Sequence, residues 1–323
     1  MITLLCITAC GKQTEIISFR QTEQEFFNCR IVQHNMEEIS ICDQPQKIVT
    51  LSMHMLDILL SLEQQPTGYA PVEPINQRQF NNPATQIPYL GQYLKTKPIN
   101  VGTRSNPSIE TLVNIKPDLI LGELGFNQDE YEFLSRLAPT MLFDGSKKNQ
   151  WQSSIIEIAK ALNQSDQARR VIADYERYLE EAKSNLASVI LQYPKLLLIG
   201  SGGLREGVQV RNGSDFTGGL LEDLGFQLVF PDNLDSGIGE VPISLEALSS
   251  LDVDLVIVQA WNDQENAPLS KVKEEWEQIP ILQSMPVSQL DNVYFVDYQL
   301  WSISRGPIAA RLILDQLHKL LLE

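Results

Sequence analysis

Two segments of the sequence repeat one short pattern, and this repeat constrains the fold more than any other feature. The first is "SIETLVNIKPDLILGE", Ser108 to Glu123, and the second is "SLEALSSLDVDLVIVQ", Ser244 to Gln259. Each begins with a serine suited to cap a helix, continues with apolar residues at helical spacing, and ends in an apolar run typical of a buried strand. A helix followed by a buried strand favours an α/β fold with parallel strands.

Between the two copies, "SDQARRVIADYERYLEEAKSNLASVILQ", Ser165 to Gln192, predicts one long helix. Ser165 is a suitable N-cap, apolar residues recur at helical spacing, and neither glycine nor proline interrupts the segment. At ~1.5 Å per residue the helix would be roughly 40 Å long. A crossover within one small lobe needs less, so we interpret this helix as a strut that joins two lobes.

Strands and helices alternate on both sides of this helix, and 323 residues with 43% hydrophobic content are enough for two cores. We therefore predict an α/β protein of two Rossmann-like lobes with mainly parallel sheets, joined by one long helix, with a ligand cleft between the lobes. The expected division is a signal remnant and tether, an N-terminal lobe, the helix that ends this lobe together with the linking helix, and a C-terminal lobe: residues 1–28, 29–150, 151–192 and 193–323.

The N-terminus, "MITLLCITACGK", is apolar up to Cys10. Its Ile7-Thr8-Ala9-Cys10 sequence is typical of a bacterial lipobox and predicts cleavage before Cys10 and lipidation of its thiol. The positively charged start of a signal is missing and the segment is short, so the true translation start stays open. The sequence holds no run of eighteen apolar residues, so we expect contact with the membrane only through this lipid anchor.

Cys29 and Cys42 bracket "CRIVQHNMEEISIC", which alternates apolar and polar residues on both sides of a turn. With a tight loop at Asn35-Met36, the two cysteines would face each other across a β-hairpin. A disulfide is then geometrically allowed and suits an exported protein. Two unpaired thiols on one face of the hairpin are the alternative.

The formal net charge of −16 argues against nucleic acid or an anionic membrane surface as a partner. An anionic ligand would need local positive charge to overcome this overall field.

The pattern "NPSIETLVNIKPDLIL", the single long helix and the repeated "SLEAL…DLVIV" together resemble the periplasmic binding proteins of iron–siderophore, haem and cobalamin import systems. The resemblance covers the chain after Cys29. It implies a monomeric periplasmic protein that captures a metal chelate between its lobes and docks on the permease dimer of an ABC importer with its ATPase subunits. By residue match, Glu110 and Glu246 would contact permease arginines. A carboxylate in a first helical turn is also favoured by the helix dipole, by about 0.3–1 kcal/mol, without any further role.

A ligand between the lobes should meet the loops at the C-terminal ends of the strands. Those loops are rich in arginine and aromatic residues, and the three histidines of the chain are not expected to converge, so no direct metal site is predicted. Arginine suits carboxylate and hydroxamate oxygens because its planar group donates two parallel hydrogen bonds.

The resemblance matches Arg104 to a ligand-contacting arginine of hydroxamate-siderophore binders, and Trp301 and Arg305 to a stretch that lines the cleft in citrate-type binders. Loop position adds further candidates: Arg205, Trp261, Tyr69 and, more weakly, Arg211. For each arginine a solvated charge or an ion pair is the alternative, and for each tryptophan ordinary core packing.

We therefore expect a substrate-binding protein for a ferric siderophore of the citrate or hydroxamate type, with no cofactor and no enzymatic activity. Cobalamin or haem is the alternative ligand within the same family. A Rossmann-type enzyme is disfavoured because "GSGGLREG" has Arg205 where a dinucleotide motif needs its third glycine. A purely structural surface lipoprotein would leave the arginine and aromatic loops unexplained.

Overall fold

The structure is a computed structural model of the chain, and it describes residues 29–73, 78–231, 239–261 and 268–323. The predicted lipobox with Cys10 lies outside the described residues and stays a prediction. Within the described part of the chain, no helix is long and apolar enough to cross a membrane.

The described chain begins with a two-stranded hairpin of β1 (Cys29–Gln33) and β2 (Glu38–Cys42). Its register is the one predicted from the sequence, with Cys29 opposite Cys42, and the two cysteines form a disulfide. The hairpin therefore carries a covalent link between its open ends.

The N-terminal lobe has a five-stranded sheet in the order β5-β4-β3-β8-β9, with every neighbouring pair parallel. A short hairpin of β6 and β7 and a 3-10 turn at Gly91–Tyr93 accompany it. Its elements are β3 (Ile48–Thr50), α1 (Met53–Ser61), β4 (Gly68–Tyr69), α2 (Pro83–Gln86), β5 (Ile99–Asn100), β6 (Gly102–Thr103), β7 (Asn106–Pro107), α3 (Ile109–Ile115), β8 (Leu119–Glu123), α4 (Leu124–Asn127), α5 (Tyr131–Leu137) and β9 (Thr140–Phe143).

Two helices follow this sheet, α6 (Gln150–Ala161) and α7 (Ser165–Gln192). The latter runs for 28 residues, as its uninterrupted pattern predicts. Ser165 is its first helical residue, and Gln164 takes the cap position instead, so the predicted serine cap is wrong by one residue. Helix α7 links the two lobes.

The C-terminal lobe has a mixed sheet in the order β13-β11-β10-β14-β15, with β12 beside β10. Strands β10, β12, β14 and β15 pair in parallel, whereas β11 and β13 run antiparallel at one edge. Its elements are β10 (Lys195–Gly203), β11 (Gly207–Arg211), α8 (Phe216–Leu224), β12 (Gln227–Leu228), β13 (Glu240–Ile243), α9 (Leu245–Ser249), β14 (Leu255–Ala260), α10 (Pro268–Gln278), α11 (Pro280–Gln283), α12 (Pro286–Gln289), β15 (Val293–Asp297), a π-helical turn (Gln299–Ile303) and α13 (Pro307–Leu322).

The strands of the repeated pattern, β8 and β14, lie inside the two sheets, and every residue of both is buried. Helices cover the faces of such a sheet, which is why these strands read as continuous apolar runs.

The last helix returns to the N-terminal lobe, a contact that the predicted division of the chain did not include. Helix α13 packs against α1 and α7. The buried carboxylate of Asp57 in α1 accepts hydrogen bonds from the backbone N–H groups of Ile308 (3.0 Å) and Ala309 (2.8 Å). One hydrophobic core contains residues of both lobes, among them Leu121 and Leu198. The boundaries predicted for the two lobes stay a prediction.

Candidate ligand-binding site

The cleft between the lobes contains two adjoining pockets, of about 340 Å³ and about 460 Å³. Residues from both lobes line the first pocket, and residues of the C-terminal lobe line the second. Arg211, Glu240 and Tyr298 line both, so the two pockets share a wall. Each has the volume usual for a small-molecule site.

Arg104 occupies a tight turn between β6 and β7 at the N-terminal side of the first pocket. Gly102 permits this turn because its φ is +92°, and a Cβ atom there would lie 2.6 Å from the carbonyl oxygen of Asn106. The Arg104 backbone N–H donates to the Pro71 carbonyl at 2.8 Å. Its guanidinium lies over the Phe126 ring, 3.7 Å from the centroid. Backbone and ring together hold this side chain toward the cleft.

The Arg104 guanidinium forms no ion pair with any residue that the structure describes. Burial lowers the pKa of this guanidinium from its ordinary value, but arginine remains protonated in proteins. Lys147, exposed at the same pocket, likewise has no ion pair among the described residues. The N-terminal side of the pocket thus presents two cations without an ion pair in the described part of the chain, although the charges of Glu123 and Glu73 favour the protonated form of Arg104.

Arg305, by contrast, has a fixed partner. Its Nη2 donates to Oε2 of Glu123 at 2.5 Å, and only 11% of the Arg305 side chain and 4% of the Glu123 side chain are exposed. Burial opposes ionisation of Glu123, but the neighbouring cations, Arg305 first among them, hold the pKa of this carboxyl below its ordinary value. The pair is therefore ionised, and Arg305 lines the pocket with its charge already paired.

Arg211 is the cation of the C-terminal wall. Its guanidinium binds Asp215 at 2.9 Å and Glu240 at 2.7 Å, and it lies 5.4 Å from the centroid of the Tyr298 ring. Burial disfavours its charged form, but the two carboxylates outweigh burial and raise the pKa of Arg211.

Backbone contacts close the base of the cleft. The N–H of Phe216 donates to the Ser146 carbonyl at 3.1 Å, and the N–H of Lys148 donates to the Ser214 carbonyl at 2.9 Å. Higher up, the Tyr89 hydroxyl donates to the Asp297 carboxylate at 2.5 Å, again from one lobe to the other. Hydrogen bonds thus join the two lobes at the base of the cleft and higher up.

Among the predicted ligand contacts, the structure brings Arg104, Arg305 and Trp301 together at the first pocket and puts Trp261 at the second. The indole of Trp301 is fully buried, and its Nε1 donates to Gln316 at 2.8 Å, so its packing is that of a core residue. Trp261 is half-buried and lies 6.0 Å from the Tyr298 ring. Their contact with a ligand stays a prediction.

Two predicted residues lie outside both pockets. Tyr69 is fully buried and packs on Phe80 at 5.7 Å, because the segment after it folds over the ring. Arg205 is exposed at the β10–β11 turn, and its side chain lines neither pocket although Gly203 and Glu206 of the same turn line the second.

The sequence analysis missed Lys147, Tyr298 and Glu240, and it ranked Arg211 low. Lys147 comes shortly after β9 and Tyr298 directly after β15, so the rule that ligands meet the C-terminal ends of strands could have found both. The antiparallel edge that carries Arg211 and Glu240 gives no such signal.

No group of three or more histidine, cysteine, aspartate or glutamate side chains suited to a metal ion occurs among the residues that the structure describes. His54 is fully buried, and this burial lowers its pKa to about 4. Its imidazole is thus neutral at neutral pH, and among the described residues no histidine lines either pocket.

A model of the family described as "Periplasmic binding protein" matches residues 48–300. The chain is 24% identical to the Fe(3+)-citrate-binding protein of Bacillus subtilis, over 95% of this chain and 90% of that protein. It is 27% identical to the Fe(3+) dicitrate-binding periplasmic protein of Escherichia coli, over 83% of this chain and 82% of that protein.

Among solved structures, the chain resembles SirA of Staphylococcus aureus complexed with staphyloferrin B. The TM-score is 0.73 at 22% identity, and the match covers 90% of this chain and 97% of SirA. At this identity the likeness shows a shared fold.

Proposed function

Because this chain belongs to the periplasmic binding protein family, we propose that it binds a ferric siderophore of the citrate or hydroxamate type between its lobes and delivers it to the permease of an ABC importer. Two relatives that align with most of the chain are named for binding Fe(3+)-citrate or Fe(3+) dicitrate, which supports an oxygen-rich iron chelate as the ligand.

The observation that carries this proposal is the guanidinium of Arg104, held over Phe126 at the cleft without an ion pair among the described residues. A guanidinium donates two parallel hydrogen bonds to a carboxylate or hydroxamate group. In a ferric chelate the inner oxygens bind the iron, and the outer oxygens face the protein. Arg104 therefore binds the outer oxygens, and the iron stays inside the chelate as part of the substrate.

Local charge favours the same class of ligand. Four cationic side chains line the first pocket: Arg104, Lys147, Arg211 and Arg305. Two of them lack a paired carboxylate in the described part of the chain, which offsets the overall charge of −16 where an anion would bind. Among the described residues no group of three or more histidine, cysteine, aspartate or glutamate side chains is suited to hold bare iron, so the chelate supplies the ligands of the metal.

Delivery would use Glu110 and Glu246. Both side chains are exposed in first helical turns, behind the cap serines Ser108 and Ser244. Opposite charges on a permease would orient the complex and raise the association rate more than the affinity. We further propose a monomer of two lobes that is held at the membrane surface by a lipid on Cys10 and that catalyses no reaction.

Haem is a second candidate because of one observation. The Tyr298 ring lines both pockets, and its hydroxyl lies 3.4 Å from Nη2 of Arg211. A tyrosine oxygen can serve as the axial ligand of haem iron. No comparable observation favours cobalamin.

Titration with ferric citrate and with ferrioxamine B, a ferric trihydroxamate, followed by quenching of tryptophan fluorescence and by calorimetry, tests the proposal. We expect Arg104→Ala to weaken ferric citrate binding about 10- to 100-fold, since a hydrogen bond to a charged group contributes about 1.5–3 kcal/mol. The matched control is Arg205→Ala, an exposed arginine outside both pockets, with a change below about twofold. If neither chelate binds at micromolar protein concentration, the proposal is refuted. A haem absorption band that forms with haemin and is lost in Tyr298→Phe would favour the second candidate.

A further inference from the structure

Arg211 holds two carboxylates at once, and they are not equivalent. The Asp215 side chain is 12% exposed and also caps α8, where its carboxylate accepts the backbone N–H of Gly218. The Glu240 side chain is 51% exposed, and among the described residues Arg211 is its ion-pair partner. Asp215 is therefore part of the fold, whereas Glu240 is held mainly by its charge.

Glu240 is also placed where a ligand would arrive. It lies directly across from Arg211 in the pairing of β13 with β11, and it lines both pockets. Its carboxylate covers Nη2 of Arg211, while Asp215 covers Nη1. The Glu240 carboxylate is already half-exposed and stays hydrated when it moves into water, while the buried Arg211 keeps its ion pair with Asp215.

We propose that Glu240 occupies the position on Arg211 that a carboxylate of the ligand takes on binding. This inference rests on the proposed function and narrows its ligand to a ferric chelate with at least one outward-facing carboxylate. Binding exchanges one carboxylate for another at Nη2, and Asp215 stays in place. If Glu240 did not leave, three negative groups would surround one guanidinium, and the incoming carboxylate would be repelled.

The exchange makes Glu240 a competitor of the ligand. Replacing it with glutamine removes the competing charge at nearly constant size, so Glu240→Gln should bind a carboxylate-bearing chelate about fivefold more tightly, the upper end for an exposed ion pair. A chelate without carboxylates gains nothing at Arg211. Glu277 provides the matched control, because it is an exposed glutamate on α10, lines neither pocket, and has no ion pair among the described residues.

The experiment titrates the wild type, Glu240→Gln and Glu277→Gln with ferric citrate and with ferrichrome, an uncharged ferric trihydroxamate that carries no carboxylate. The expected result is a Kd for ferric citrate about fivefold lower in Glu240→Gln, changed by less than about twofold in Glu277→Gln, and an unchanged Kd for the trihydroxamate in both. Equal unfolding midpoints for the three proteins confirm that only the site has changed.

Two outcomes overturn the inference while the proposed function stands. In the first, the wild type binds ferric citrate, but Glu240→Gln binds it no better, or no better than Glu277→Gln does. In the second, the wild type binds only the trihydroxamate. Weaker binding of ferric citrate by Glu240→Gln also overturns it, because Glu240 would then contact a donor group of the ligand. If the wild type binds neither chelate, the proposed function fails and the inference fails with it.

Discussion

Arg305 and Glu123 form a buried ion pair with an Nη2–Oε2 distance of 2.5 Å beneath the ligand cleft. Glu123 ends β8 of the N-terminal sheet, whereas Arg305 lies between the π-helical turn and α13. The pair therefore fixes the segment through which the chain returns from the C-terminal lobe. Arg305 lines the pocket, but its charge is already paired with Glu123.

Removing the carboxylate from this pair should destabilise the fold, because the Arg305 charge would remain buried without a partner. We expect Glu123→Gln to lower the free energy of unfolding by about 3 kcal/mol, as for other broken buried pairs. Urea unfolding measures the change. Asp166→Asn, which removes the partner of Arg169 in an exposed pair, is the control and should cost less than about 1 kcal/mol. A Glu123→Gln variant as stable as this control would contradict the expectation.

A second buried carboxylate, Asp57, should make the stability depend on pH. Burial raises its pKa from 3.8 to about 7, despite the hydrogen bonds from Ile308 and Ala309. The folded protein then binds the proton of the Asp57 carboxyl more tightly than the unfolded chain does. Protonation of Asp57 therefore stabilises the fold fully below about pH 4, and this stabilisation is lost as the pH rises through about 7.

Asp57→Asn removes this proton equilibrium. The unfolding free energy of the wild type, measured relative to that of Asp57→Asn, should therefore fall by up to about 4 kcal/mol between pH 4 and pH 8. Urea unfolding over this pH range measures it. Parallel curves for the two proteins would show that Asp57 does not titrate in this range.

The sequence predicts those features of the fold that depend on local pattern. Helix α7 and the buried strands β8 and β14 follow from apolar spacing, and the partner of Cys29 follows from the alternation on both sides of a turn. The return of α13 to Asp57 does not follow, because it joins residues about 250 positions apart and depends on a buried side chain that the local pattern reads only as part of α1.

The sequence predicts only part of the candidate site. Arg104 was predicted from the family resemblance, and it lies in the turn between β6 and β7 at the first pocket. Tyr69 and Arg205 line neither pocket, because the side-chain direction at the end of a strand depends on what packs over it. The ion pair of Arg211 with Glu240 depends on an antiparallel register that parallel-sheet reasoning does not anticipate.

Phe126 should determine the position of Arg104. Its ring is 37% exposed and carries the guanidinium at 3.7 Å. Since a cation–π contact contributes about 0.5–2 kcal/mol, Phe126→Ala should weaken binding of ferric citrate about two- to thirtyfold. Fluorescence titration measures the Kd. Phe133→Ala is the control, because Phe133 is similarly exposed on α5 and lines neither pocket. Equal affinities for the two variants would mean that Arg104 does not need the ring.

The two exposed glutamates should act in delivery and not in capture. Glu110→Arg and Glu246→Arg should leave the Kd for the chelate within about twofold and lower uptake of radioactive iron by at least about tenfold, because each presents a like charge to the permease arginines. Uptake is measured in iron-starved cells that carry the matching permease. Glu277→Arg, an exposed position on α10, is the control and should leave uptake unchanged. Normal uptake in both glutamate variants would exclude these residues from docking.

The disulfide should stabilise the hairpin without being required for the fold. Cys29 and Cys42 are 13 residues apart, and closing a loop of this length contributes about 3 kcal/mol by restricting the unfolded chain. Other contacts persist without it: Arg30 donates to the Ala161 carbonyl at 3.2 Å, and Gln33 donates its backbone N–H to Glu157 at 2.8 Å. Urea unfolding with and without reductant should therefore show a loss of about 3 kcal/mol in the wild type. The double variant Cys29→Ser/Cys42→Ser should have the unfolding free energy of the reduced protein, with or without reductant. An oxidised wild type no more stable than this variant would contradict the entropic account.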